Sequence, residues 1–168
     1  RAIESSQLIN ENKDLKNIVV PNIPLIGISS FIKKISKTIK EQSLSNSRLF
    51  ISGEFGTGKK LIANLIHQSS SFKDKLPVSI DFKKLSNEAL DKLFSDNKDL
   101  LNENLFIRSN NNTLILLSID SLPINYQKKF VFFLENKNFF RNLEINLNIK
   151  IISITEKNIN LEIEKGNF

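Results

Sequence analysis

The chain has 168 residues, of which 25% are charged and 40% hydrophobic, enough for one domain with a core but too few for two full-sized domains. No apolar run is as long as a membrane span, and residues 1–17 lack the apolar stretch of a signal peptide, so we expect a cytoplasmic protein with no membrane partner. The absence of cysteine and the single histidine exclude disulfides and thiolate metal sites, and leave little for zinc chemistry or for Cys or Ser/His hydrolysis. The formal net charge of +6 is spread along the chain, which does not favour a dedicated nucleic-acid surface.

The first segment differs from the rest of the chain. Residues 1–16 carry a narrow apolar stripe at helical spacing, which is typical of a linker helix or a two-helix coil. Pro21 and Pro24 then interrupt the chain, and we place a domain boundary near residue 20. The sequence therefore predicts a linker helix over residues 1–20 and one domain over residues 21–168, whose first helix is capped by Ser29 or Ser30.

Short apolar runs alternate with amphipathic segments through the predicted domain. The runs predict strands at 48–52, 77–82, 113–119 and 149–154. The segments between them predict helices from 59 to about 69, over 85–94 with Ser86 as cap, and from Pro123 to about 134. The stretch 95–112 is polar and rich in asparagine, and no element is assigned to it. This alternation predicts an α/β fold with a mainly parallel sheet covered by helices on both faces.

A glycine-rich loop joins the first predicted strand to the helix that follows. The run GEFGTGK holds three of the five glycines of the chain and fits the phosphate-loop pattern, in which backbone N–H groups turn inward beside a helix N-terminus. A plain glycine turn between a strand and a helix is the alternative. The residues predicted to contact a nucleotide are Gly53, Glu54, Phe55, Gly56, Thr57, Gly58, Lys59 and Lys60, with Lys59 reaching the terminal phosphates.

Magnesium chemistry is poorly provided for in this loop. The general phosphate-loop pattern ends in Ser or Thr, whose hydroxyl meets Mg²⁺, whereas this chain has Lys60 at that position. We expect Thr57 to serve as a loop hydroxyl instead of a metal ligand. The sequence therefore predicts a nucleotide site for which no residue is assigned as a metal ligand.

The run GEFGTGKKLIANLIHQSS resembles the phosphate loop and following helix of the AAA+ ATPase domain of sigma-54-dependent bacterial transcription activators, whose usual run reads GESGTGKE. Three further runs are similar to the opening, the second nucleotide motif and the first sensor strand of that domain; they are PLIGISSFIKKISKTI, NNTLILLSIDSLPINYQKKFVFFLENKNFFRN and IKIISITEKNINLEIEKGNF. The first sixteen residues resemble the signalling helix that follows a receiver domain in NtrC/NtrX-type nitrogen response regulators. The resemblance covers nearly the whole chain and implies a P-loop AAA+ three-layer α/β/α sandwich that binds ATP or ADP.

The catalytic parts of that family are altered in this chain. In the family the second nucleotide motif (Walker B) ends in Asp-Glu, which organise Mg²⁺ and the attacking water, and the aligned residues here are Leu117 and Ser118. Asp120 lies two positions beyond Ser118, on the same side if the strand stays extended, and is kept as a poor catalytic substitute, with another acid as the alternative. The sensor asparagine of the family aligns with Glu156.

Contacts that the family makes with other molecules are also altered. The Gly-Ala-Phe-Thr-Gly-Ala loop that touches sigma-54 is absent between Leu93 and Asn112. The chain stops at Phe168, before the arginine finger, the helical lid and the DNA-binding helix-turn-helix of the family, as expected of a fragment or a shortened gene product.

These departures lead to three functional hypotheses. The first is an ATP-binding regulatory domain of a transcription regulator with impaired hydrolysis. The alternatives are an active ATPase that remodels the sigma-54 RNA polymerase holoenzyme and a pseudo-ATPase scaffold that binds no nucleotide. The apolar stripe of the first segment favours self-association as a dimer or higher oligomer. The resemblance implies a receiver domain upstream, the holoenzyme as partner, and DNA contact only through a missing C-terminal domain.

The remaining polar and aromatic candidates have structural interpretations. We expect His67 to stabilise the end of its helix through the helix dipole and Asp81 to cap a turn. Five phenylalanines are expected in the core, with a subunit contact as the alternative; they are Phe130, Phe132, Phe133, Phe139 and Phe140.

Overall fold

The structure is a computed structural model that describes residues 25–45, 47–95, 97, 102–135 and 146–168. The predicted linker helix at 1–20 lies outside these ranges, as do Phe139 and Phe140. Within them, no helix is long and apolar enough to cross a membrane.

Strands and helices alternate along the described residues, as the sequence predicts. The strands are β1 (Leu49–Ser52), β2 (Val78–Asp81), β3 (Asn112–Leu117) and β4 (Ile149–Thr155). The helices are α1 (Ser30–Leu44), α2 (Lys59–Gln68), α3 (Asn87–Leu93), α4 (Leu105–Arg108), α5 (Ile124–Glu135) and α6 (Ile159–Glu164), with single 3₁₀ turns at Phe82–Lys84 and Ile119–Ser121. The predicted caps are present, since the hydroxyl of Ser29 accepts a hydrogen bond from the N–H of Ile32 and that of Ser86 accepts one from the N–H of Ala89.

All the described strands pair in parallel, in the order β1-β4-β3-β2. The central pair is β3 with β4, in which Ile115 lies opposite Ile152, and β1 adds to its far side with Leu49 opposite the same Ile152. Both central strands are nearly continuous apolar runs, because each is covered by side chains on both faces. The predicted parallel sheet is confirmed.

Alternate residues of the central strands point into two separate cores. Leu114 and Leu116 of β3 belong to the larger core, which contains buried side chains of α3, α4 and α5. Ile115 belongs to the smaller core, which contains Ile39 of α1 and Ala63 of α2. Helices thus cover both faces of the sheet, and the chain has the predicted three-layer α/β/α architecture.

The phenylalanines of α5 divide between the larger core and the surface. Phe133 is buried and Phe130 packs against the same core, so the core interpretation is confirmed for these two residues. Phe132 keeps 45% of its surface exposed.

The third strand ends earlier than its sequence predicts. The predicted strand ran to Ile119, but β3 stops at Leu117 because Ser118 takes a φ of 54°, in the left-handed region. Ile119 then opens a 3₁₀ turn and is buried in the larger core. Because of this early turn, the residues after Leu117 do not continue along the line of the strand.

The stretch 95–112, to which the sequence assigns no element, contains the short helix α4. Asn104 is fully buried and caps this helix, since its side-chain oxygen accepts from the N–H of Phe106 at 2.9 Å. Its amide group donates to the carbonyl of Ser95 at 2.8 Å. Leu105 and Phe106 are buried in the larger core. A stretch of mostly polar composition therefore contributes two apolar side chains to the larger core.

His67 ties the end of α2 to the start of β3. Its Nε2 lies 2.7 Å from the carbonyl oxygen of Lys75 and its Nδ1 lies 2.8 Å from Oγ1 of Thr113. Because a carbonyl can only accept, Nε2 carries the proton and Nδ1 accepts from the threonine hydroxyl. Burial lowers the pKa of His67, although the bond to the Lys75 carbonyl opposes this effect. The ring is therefore uncharged at neutral pH. It does not place a positive charge at the end of the helix dipole, which was the expected contribution.

We expect the free energy of unfolding to decrease as the pH falls below the ordinary histidine pKa of 6.5, because the unfolded chain binds a proton there more readily than buried His67 does. The change in the free energy of unfolding that this one group causes cannot exceed about 1.4 kcal/mol per pH unit. Urea unfolding at pH 7.5, 6.5 and 5.5 measures it, and the His67→Gln variant provides the control without a titrating ring.

The pH window is chosen to isolate His67. The pKa values of the buried carboxyl groups Asp120 and Glu162 lie below their ordinary values, so both groups stay ionised throughout the window. Equal slopes for the parent and the His67→Gln variant would contradict the prediction.

Candidate functional site

The glycine loop connects the carboxyl end of β1 with the first turn of α2. Gly56 and Gly58 have φ values of 79° and 81°, a backbone region in which a side chain is strained. A Cβ atom at either position would meet nothing within 4 Å, so the requirement for glycine comes from the backbone conformation and not from crowding. The glycine spacing recognised in the sequence is therefore what this loop conformation needs.

Lys59 is a buried cation inside the loop. Only 7% of its surface is exposed, and its Nζ donates to the carbonyl of Gly53 at 2.8 Å and to the carbonyl of Glu54. No carboxylate of the described residues forms an ion pair with it. Because a buried charge is costly unless it is compensated, this ammonium group offers an incoming anion a strong partner.

Thr57 braces the loop, as predicted for a loop hydroxyl. Its Oγ1 donates to the carbonyl of Glu54 at 2.8 Å. A Cβ atom at Gly53 would lie 3.2 Å from this Oγ1 of Thr57. The helix that follows begins at Lys59, and its N-cap residue Gly58 provides no side-chain hydrogen bond; its first turn contains no acidic residue. The positive end of α2 is thus open on the side of the loop.

Three predicted site residues have side chains exposed to solvent. Phe55, at the tip of the loop, has 87% of its surface exposed, and Glu54 and Lys60 are exposed as well. The structure therefore brings the glycines, Thr57 and Lys59 together, and among the described residues it leaves these three side chains without a hydrogen bond or ion pair that ties them to the loop.

The residues aligned with the second nucleotide motif supply no acid. Leu117 packs against the smaller core, beside α2, and Ser118 forms the left-handed turn that ends β3. Neither position holds a carboxylate that could face a metal or a water molecule.

Asp120 does not occupy the place expected of a substitute acid. The sequence places it on the side of Ser118 only if the strand stays extended, and this condition is not met, because β3 ends before both residues. Its buried carboxylate accepts from Oγ1 of Thr155 at 2.6 Å and lies 3.4 Å from Nζ of Lys157. Burial alone would raise the pKa of Asp120, but the hydrogen bonds from Thr155 and Lys157 outweigh it and hold this pKa below its usual value.

The ion pairs of Asp120 continue into α6. Lys157 lies 3.5 Å from Oε2 of Glu162, which in turn accepts from Nδ2 of Asn167 at 3.0 Å. These side chains line a cleft of about 330 Å³ to which no residue of the glycine loop contributes. Sequence reasoning did not find this cluster, because the resemblance of residues 149–168 to a sensor strand gives no role to Lys157 or Glu162, which join Asp120 in one cluster only after the chain has folded.

The remaining acids at this edge of the sheet are used by the fold. Asp81 caps a turn as predicted, since its carboxylate accepts from the N–H of Lys83 at 3.2 Å. Glu156, at the aligned sensor position, forms an exposed ion pair of 3.4 Å with Lys83. The described residues contain no group of three or more acids or histidines that could hold a metal ion. Phosphate-loop enzymes hold magnesium with a hydroxyl directly after the loop lysine and a carboxylate at the end of a neighbouring strand, and these positions are Lys60 and Leu117 here, so the residues present do not fit this metal ion.

A parallel sheet with a glycine loop and a buried lysine between its first strand and the next helix defines the chain as a P-loop type of α/β domain. The family model of the Sigma-54 interaction domain matches residues 25–168, and the chain belongs to this family.

Relatives agree in sequence and in fold. Over its whole length the chain is 32% identical to a protein of Rickettsia bellii named putative response regulator NtrX-like, and it covers 37% of that protein. The chain also superposes along its whole length on two crystal structures of NtrX from Brucella abortus. The complex with ADP gives a TM-score of 0.71 at 26% identity with 39% of that chain covered, and the complex with ATP gives 0.73 at 24% identity with 37% covered. The chain thus spans less than two fifths of the length of each of these relatives.

The hydroxyl of Thr155 is expected to stabilise the fold through the buried carboxylate of Asp120. Thr155→Val keeps the shape of the side chain but removes the donor, so we expect it to lower the free energy of unfolding by about 1–3 kcal/mol at pH 7. Thr155→Ser keeps the donor and should cost clearly less. Urea unfolding of both variants tests this, and equal losses would show that the hydrogen bond is not the cause.

Proposed function

We propose that this chain binds ATP or ADP at residues 53–60 as the nucleotide-binding domain of a sigma-54-type transcription regulator, and that nucleotide sets its conformation or assembly. The observation that carries the proposal is the buried ammonium group of Lys59, which sits in a glycine loop without a carboxylate partner among the described residues. The open N-terminal end of α2 adds backbone donors and positive potential at the same place.

The chemistry of the loop suits a chain of phosphates. ATP or ADP would supply oxyanions, for which Lys59 would exchange its bonds to the carbonyls of Gly53 and Glu54. The backbone N–H groups around Gly56 and Gly58 would hold the phosphates in position. The NtrX structures from Brucella abortus in complex with ATP and with ADP support the choice of these nucleotides.

We further propose that hydrolysis is impaired. Catalysis of phosphoryl transfer depends on charge neutralisation and on an oriented water molecule, and the acid pair that serves both purposes in the family is replaced by Leu117 and Ser118. Asp120 is already bonded to Thr155 and Lys157, which leaves it poorly suited to act as a base.

The partners follow from the family and remain part of the proposal. Membership of the Sigma-54 interaction family favours the RNA polymerase holoenzyme that contains sigma-54 as the macromolecular target in the cytoplasm. The response-regulator relatives favour a receiver domain upstream and a DNA-binding domain downstream in a longer regulator. Self-association through residues 1–16 concerns a segment outside the described residues and stays a prediction.

Replacing Lys59 is expected to weaken nucleotide binding. Lys59→Ala removes a charge-assisted hydrogen bond to the phosphates and should cost about 1.5–3 kcal/mol of binding free energy. A titration with a fluorescent ATP analogue measures this, and Lys73→Ala, beyond the other end of α2, controls for the loss of one positive charge. Unchanged affinity of the Lys59 variant, with its fold intact by circular dichroism, would place the site elsewhere.

ATP turnover by the unaltered chain should lie far below about 1 per second, the lower end of the ordinary enzyme range. The assay is release of inorganic phosphate with magnesium present. Asp120→Asn should leave the residual rate unchanged, because this carboxylate serves the ion-pair cluster. Turnover in the ordinary range that disappears in the Asp120 variant would restore the hypothesis of an active ATPase.

A further inference from the structure

Lys60 is a second cation at the positive end of α2. Its side chain is exposed, no acid stands in the first turn of the helix, and it forms no ion pair within the part of the chain that the structure describes. Adjacent lysines are unfavourable at this end of a helix, because the helix dipole repels them there. An anion bound at the loop would relieve that repulsion for both Lys59 and Lys60.

The same position is where a phosphate-loop protein normally begins its magnesium site. The hydroxyl of the general pattern is missing at Lys60, and the family run GESGTGKE has a glutamate there, so this chain reverses the charge. The other magnesium groups are missing too, since Leu117 is apolar and Asp120 is held by Thr155 and Lys157. The hydroxyl of Thr57 already donates to the carbonyl of Glu54.

We propose that this site binds nucleotide without magnesium, and that the ammonium group of Lys60 supplies the positive charge that the metal ion would otherwise bring. The inference rests on the proposed function, because it concerns the same loop. Metal-free ATP carries more negative charge than its magnesium complex, and two lysines at a helix N-terminus match that charge without a metal ion. The ligand is therefore the free nucleotide.

The first experiment compares two media. The full chain is titrated with methylanthraniloyl derivatives of ATP and ADP, once with excess magnesium chloride and once with excess EDTA. We expect the dissociation constant in EDTA to be equal to that in magnesium within about threefold, or lower. A dissociation constant more than about threefold higher in EDTA would overturn the inference while leaving the proposed function standing. Absence of binding in both media would overturn the proposed function itself.

The second experiment assigns the effect to Lys60. Lys60→Gln should weaken binding of the ATP derivative in EDTA by about fivefold or more, and Lys60→Glu, which restores the residue of the family, should weaken it further. Both variants should bind more tightly when magnesium is added, since a metal ion can then replace the lost charge. Lys73→Gln is the matched control and should behave as the parent does. Parent-like affinity of Lys60→Gln in EDTA would refute the role of this lysine.

Discussion

Parallel pairing of β3 with β4 gathers the carboxyl ends of the described strands at one edge of the sheet. The glycine loop leaves β1 there, Ser118 turns the chain away from β3 there, and Thr155 ends β4 there. Both strands are covered on both faces, so their positions are set by burial of apolar side chains and not by the polar groups at their ends. The sheet would therefore form without the polar groups of the site.

Charge is used in two different ways along that edge. In the glycine loop a buried lysine contacts only carbonyl and hydroxyl oxygens, which leaves its positive charge without a carboxylate partner among the described residues. Around Asp120 each buried charge has an opposite charge or a hydroxyl donor beside it. A buried group whose charge is already compensated gains little from a ligand, whereas one that is only solvated by dipoles gains much. The glycine loop is therefore suited to bind an anion, whereas the cluster around Asp120 is suited to stabilise the fold.

Much of this arrangement could be predicted from the sequence because the signals are local. Continuous apolar runs indicated the parallel strands, and the spacing of Gly53, Gly56 and Gly58 indicated the loop. The end of β3 could not be predicted, because a left-handed conformation is normally indicated by a glycine and position 118 is a serine. The ion-pair cluster of Asp120 and the neutral state of His67 depend on partners distant in sequence, so composition and periodicity carry no trace of them.

The left-handed turn at Ser118 also affects what an acid at the end of β3 could do. Ser118 already bears the cost of about 1–2 kcal/mol that this conformation imposes on a residue with a side chain, and a glutamate there would start from a turn and not from an extended strand. An aspartate in place of Leu117 would withdraw an apolar group from the smaller core and bring a charge beside it. Acids restored at these two positions would therefore stand on a turned backbone and beside an apolar core, so substitution of the two side chains alone would not rebuild the family's pair.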